Sequence, residues 1–186
     1  MLIANIKNNV NYGGDKLVKL ERSLVLVQTI MNSQRFADAV LGFAQFHFTV
    51  KPCWKLWRRA YEAPHHTNEQ VLAKILAGKE ARGGDALMNL LVRLLPGSGG
   101  NVVGETANGV IGTYEGDFNS RTDERLAAHL AHEFTHTIGF KHTSGTCDDK
   151  RDCFSVPYAI GNLVELLLTG VMQEDKGCAY AANFKL

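Results

Sequence analysis

Apolar residues along this chain recur with two different periods, and the switches between them mark its elements. From Asp15 to Met31, Leu17, Leu20, Leu24, Val27 and Ile30 fall three or four positions apart. That spacing lines one face of an α-helix. A second, shorter helix is expected from Ser33, with Phe36, Ala39, Val40 and Phe43 turned inward. Phe46, Phe48 and Val50 alternate with His47 and Thr49, which predicts a strand ended by Pro52. Thr67, followed three residues later by Gln70, forms a capping-box signature and predicts a helix over 67–77.

Further along, periodicity alone does not decide between element types. The run from Asp85 to Leu95 is apolar almost throughout and fits a buried strand or a helix. Val102, Val103, Val110, Ile111 and Tyr114 sit in short stretches punctuated by glycine, as strands or an edge ribbon would. Asp123 is placed to cap a helix reaching Ile138, where Gly139 stops it. A last helix is expected from Pro157, in its first turn, to Leu168, closed by Gly170. No repeat or linker divides the chain. The expectation is one α+β domain over 1–186, with roughly the first 60 residues helical.

Composition narrows the class without naming it. Hydrophobic residues make up 45% of the 186, which is too apolar for a disordered chain. Twenty Lys and Arg against nineteen Asp and Glu leave a net charge of +1, so no basic surface for nucleic acid is expected. The longest apolar stretches, 24–30 and 163–168, are too short to span a bilayer, and the N-terminus lacks the core of a secretory signal. The chain is therefore read as soluble and monomeric, with no membrane partner and its location undetermined. Cys147 and Cys153 flank a short acidic loop and are either bridged or reduced; no CxxC pair supports a structural zinc.

Seven histidines then change the picture, because four lie between His129 and His142. The segment from His132 reads HEFTHTIGFKH. His132 and His136, four apart on a helix, project from one face a turn apart. Glycine at 139 can take the left-handed turn that brings His142 back toward the same point. Three neutral imidazoles leave an open tetrahedral position, the layout of a catalytic rather than a structural zinc site. Glu133, beside the first ligand, is placed to take a proton from a water in that position. At about 100° per residue, Leu126, Ala127, Leu130, Ala131, Phe134 and Ile138 gather on one side of this helix. His129, His132, Glu133 and His136 gather on the other. His129 is expected beside the ligands or facing solvent, and His65 and His66 in a solvated loop.

The pattern HExxHxxGxxH resembles the zinc signature of the metzincin clan of metallopeptidases, matched at His132, Glu133, His136, Gly139 and His142. The resemblance implies three zinc ligands, a general base and a turn glycine at those positions. It implies a twisted, mixed and mostly parallel sheet with an active-site helix and further helices at both ends. It also implies an edge strand, here within 101–114, that binds a peptide or protein substrate in extended form.

One departure stands out. Metzincins carry a tight turn with a methionine beneath the zinc, and here Ser155-Val156-Pro157-Tyr158 occupies that place. Met172 is the only methionine after the third histidine. The preferred reading is that the SVPY segment forms a different floor. Tyr158 then has two roles open to it, steadying the oxyanion or simply packing. The activity implied is that of a zinc-dependent endopeptidase. A zinc hydrolase of a non-peptide amide and a silent metal-binding module are the alternatives.

Overall fold

The computed structural model describes residues 1–44, 46, 66–78, 88–99, 104–142 and 154–171. Its elements run β1 (Ala4–Val10), α1 (Asp15–Met31), α2 (Gln34–Leu41), α3 (Asn68–Ala77), β2 (Met88–Leu95), β3 (Gly104–Ala107), β4 (Val110–Tyr114), α4 (Glu115–Ser120), α5 (Asp123–Thr137) and α6 (Val156–Thr169). The four strands form one mixed sheet in the order β1-β2-β4-β3. β1, β2 and β4 are parallel, and β3 is an antiparallel edge. The fold class is α+β, as expected.

The ambiguous run from Asp85 resolves into β2, which lies between β1 and β4 and buries Met88, Leu90, Val92 and Leu94. Burial alternates along it, with Arg93 exposed on the opposite face, but Leu91 and Leu95 sit half-buried on that face too, which is why the sequence shows no clear alternation. The helical reading of the N-terminus needs one correction, since residues 4–10 are the strand β1. Ala4 and Ile6 pack against the core, but the pairing with β2 shifts register between Ile6 and Asn8. That irregularity breaks the two-residue period at Lys7 and hides the strand among asparagines.

β3 and β4 are joined by Asn108 and Gly109, both with positive φ (54° and 78°). This is the two-residue turn whose twist suits a hairpin. Gly104 pairs with Thr113 and Thr106 with Ile111 across it. The capping box on α3 is present, with Thr67 and Gln70 bonding each other's backbone. On α5 the cap is Thr122 rather than Asp123; its hydroxyl accepts from Arg125 N, while Asp123 ion-pairs with Arg22 at 2.9 Å. α6 keeps Pro157 in its first turn and ends at Gly170, φ 69°.

Leu20, Leu24 and Val27 of α1 meet Leu126, Leu130 and Phe134 of α5, Ile160 and Leu163 of α6, and Leu90 and Ile111 of the sheet in one core. α5 packs on α1 and α6 and also touches β3 and β4, so its polar flank is wedged against the sheet edge. Phe46 is buried, but the rest of the strand expected over 46–50 lies outside the described residues, as do all four cysteines, His65 and Met172. Among the described residues no helix is long and apolar enough to cross a membrane.

Candidate metal centre

The end of α5 is built by a glycine. Gly139 has φ 94°, its N–H reaches His136 O at 3.0 Å, and Phe140 N reaches Thr135 O at 3.0 Å. These two bonds make a Schellman turn, which needs a residue without Cβ strain at the left-handed position. The turn redirects the chain so that His142 returns to the two helical histidines. His142 Nε2 lies 3.2 Å from His132 Nε2 and 3.1 Å from His136 Nε2.

The three ring nitrogens all lie within 4.8 Å of one another, close enough to share one metal ion. Tetrahedral ligands about 2.05 Å from a centre lie about 3.3 Å apart. The ring orientations also suit a metal. Phe140 O accepts from His136 Nδ1 at 2.9 Å, which leaves Nε2 with its lone pair directed into the cluster. Ser155 Oγ stands 3.5 Å from His142 Nδ1 and so borders the third ring from below. Burial, with the neighbouring imidazoles adding to it, holds His132 well below the usual histidine pKa, in the neutral form a ligand needs. Among the described residues no other trio of His, Cys, Asp or Glu converges in this way. The three histidines could hold a metal ion, and a set of imidazoles suits zinc and several other transition metals.

Glu133 points toward the sheet edge and is buried (5% exposed). Thr106 on β3 donates its hydroxyl to Glu133 Oε2 at 2.6 Å. Burial pushes the carboxyl up to about 7; the Glu105 charge adds to this and the Thr106 hydroxyl opposes it. Tyr158 places its ring 4.8 Å from that of His132 and 4.6 Å from that of His142, centre to centre. The SVPY segment thus borders two of the three histidines. Gly161, one turn on, lets α6 approach α5 closely: a Cβ there would stand 3.0 Å from His132 Cβ and 3.1 Å from Ala128 O.

The structure decides between the two places open to His129. It is not solvent-facing but 7% exposed, with Nε2 3.0 Å from Thr113 Oγ1 and Nδ1 3.7 Å from Glu133 Oε1. Burial, with Arg121 contributing, drops its pKa to about 3. His66 is half-buried, its ring edge-on to Phe140, which also carries Lys74 over its face at 4.6 Å. Thr106, Thr113 and the Phe140 carbonyl were not foreseen. The Asn-Gly pair at 108–109 signals the hairpin, and counting back from it would have placed Thr106 and Gly104 on one face of the edge strand.

Comparison with family models, with curated proteins and with solved structures finds no match, so a functional reading rests on these residues alone.

Proposed function

We propose that the chain is a zinc-dependent endopeptidase of metzincin type, with His132, His136 and His142 holding zinc and Glu133 as general base. The observation that carries the reading is the convergence of three histidine nitrogens within 4.8 Å of one another, on a helix where the residue after the first histidine, Glu133, carries a buried carboxyl. Bound zinc would polarise the scissile carbonyl and acidify a water molecule. Glu133 takes the proton of that water as it attacks and passes it to the leaving amine. Thr106 holds one carboxyl oxygen, so the side chain keeps its aim through both transfers. Tyr158, beside two of the ligands, steadies the charge that develops on the carbonyl oxygen.

The position of β3 supports a peptide substrate. It is the sheet edge next to the cluster, and Thr106 ties it to Glu133. An extended peptide adding to that edge would run past the carboxyl.

The test pairs metal analysis with cleavage of a diverse peptide library by wild type and Glu133→Gln. One zinc per chain and cleavage that falls by orders of magnitude in Glu133→Gln are expected. Protein that binds no zinc when offered it, or cleavage that persists in Glu133→Gln, overturns the reading.

A further inference from the structure

Behind Glu133 the structure holds a buried line of polar groups that metal ligation does not require. Thr113, fully buried, meets His129 Nε2 at 3.0 Å. The opposite ring nitrogen, Nδ1, faces Glu133 Oε1 at 3.7 Å, and Thr106 closes the line on Oε2 at 2.6 Å.

The strand register makes room for this line. Gly104 pairs with Thr113 on the edge hairpin. A Cβ at 104 would stand 2.7 Å from His129 Cε1 and 2.9 Å from Nε2. A glycine is therefore needed where the edge strand lies against the ring. The imidazole fills the space that a side chain opposite Thr113 would take.

The carboxyl end sets the direction along the line. His129 Nδ1 faces Glu133 Oε1 at 3.7 Å, so the imidazole proton sits on Nδ1 and points at the carboxyl. Nε2 is then bare, and the Thr113 hydroxyl donates to it at 3.0 Å. The opposite tautomer would set the Nδ1 lone pair against a carboxylate oxygen.

Resting on the proposed role of Glu133, we infer that His129 is a positioning residue for the general base. Thr113 locks it as the Nδ1–H tautomer, and it presents that N–H to Oε1 while Thr106 holds Oε2. The carboxyl is thereby held by Thr106 of the edge strand β3 and by His129 of α5, itself fixed by Thr113 of β4, and its rotation is set independently of the metal. The 3.7 Å separation makes the His129 end a directed charge–dipole contact, and a small turn of the carboxyl closes it to a hydrogen bond.

Three measurements test this. Long-range nitrogen–proton NMR on the wild-type protein reads the His129 tautomer directly, with or without zinc and whether or not a substrate is known. Nδ1 protonated and Nε2 bare is expected; the reverse overturns the inference. Thr113→Val, nearly the same shape, removes the lock, and a mixture of tautomers is expected, whereas an unchanged tautomer overturns it. On a cleaved peptide, His129→Phe and Thr113→Val should lower kcat by about 10–100-fold with KM and zinc affinity within about threefold. Loss of zinc in His129→Phe, or an unchanged kcat in both variants, counts against the inference. If wild type cleaves nothing, the endopeptidase reading fails while the tautomer measurements still decide the arrangement.

Discussion

The carbonyl of Phe140 accepts the Nδ1–H of His136 at 2.9 Å, so the turn that ends α5 also aims one of the three clustered histidines. Gly139 makes that turn at φ 94°. A Cβ there would meet only Lys74 Nζ, at 3.6 Å, so substitution costs through backbone strain rather than crowding. Gly139→Ala is expected to lose about 1–2 kcal/mol of stability from the left-handed position. It should lose about 10–100-fold in zinc affinity as the Phe140 carbonyl and His142 shift. Urea unfolding of the metal-free protein and chelator competition measure the two effects separately. A loss of stability with unchanged zinc affinity would show that the turn does not orient the ligands.

Ser155 precedes α6 as its N-cap residue, yet its side chain makes no capping bond and lies 3.5 Å from His142 Nδ1. An N-cap serine ordinarily contributes about 1 kcal/mol. Ser155→Ala should therefore cost less than about 0.5 kcal/mol in the metal-free protein, because no cap bond is lost. Its effect should fall on zinc, weakening affinity severalfold by freeing the His142 ring. Titrating both proteins with zinc against a chromophoric chelator checks this, and equal affinities would sink it.

The centre was more legible than the sheet, for a physical reason. Helical spacing and a glycine turn are local: His132, His136, Gly139 and His142 lie within eleven residues, and their geometry follows from backbone angles alone. The α1, α2 and α3 faces were legible in the same way, down to the Thr67–Gln70 box. β1 was not, because its register shift against β2 interrupts the alternation that marks a strand. The surroundings of Glu133 were hidden for another reason. Thr106 and Thr113 reach α5 only through the hairpin register, a relation between residues 16 to 27 positions apart. His129 has the helical angle of a polar-face residue, and only the sheet edge laid across it makes it buried.

α5 and α6 come close together at Gly161, where an added Cβ would be 3.0 Å from His132 Cβ and 3.1 Å from Ala128 O. Alanine would gain about 1 kcal/mol in helix propensity, which competes with the crowding. A leucine leaves no such balance. Gly161→Leu should destabilise the fold by about 1–3 kcal/mol through overpacking against a backbone that is itself packed. Because Tyr158 sits one turn earlier, α6 displacement should also separate its ring from those of His132 and His142. Thermal unfolding and Tyr158 fluorescence on zinc binding test the two parts. An unaltered melting temperature would mean the helices are not in contact there.

Tyr12 links stability to alkaline pH. Its ring packs edge-on against Phe118, with centroids 5.4 Å apart. Burial raises the phenol pKa above its ordinary value of 10.0, with the nearby Thr113 hydroxyl a smaller opposing effect. A folded-state pKa above the unfolded one means the native state favours the protonated phenol. The associated stability is fully present below about pH 10, where the unfolded chain is also protonated, and is lost as pH rises through the folded value. Tyr12→Phe removes this dependence. Relative to the difference at pH 8, the variant should gain on wild type above pH 10 by about 1.4 kcal/mol per pH unit, up to the folded pKa. Lysines titrate in the same range but equally in both proteins, so the difference isolates Tyr12. Urea midpoints at intervals from pH 8 to 11, beside the phenolate absorbance, read it; two parallel stability curves would show that Tyr12 ionises as freely folded as unfolded.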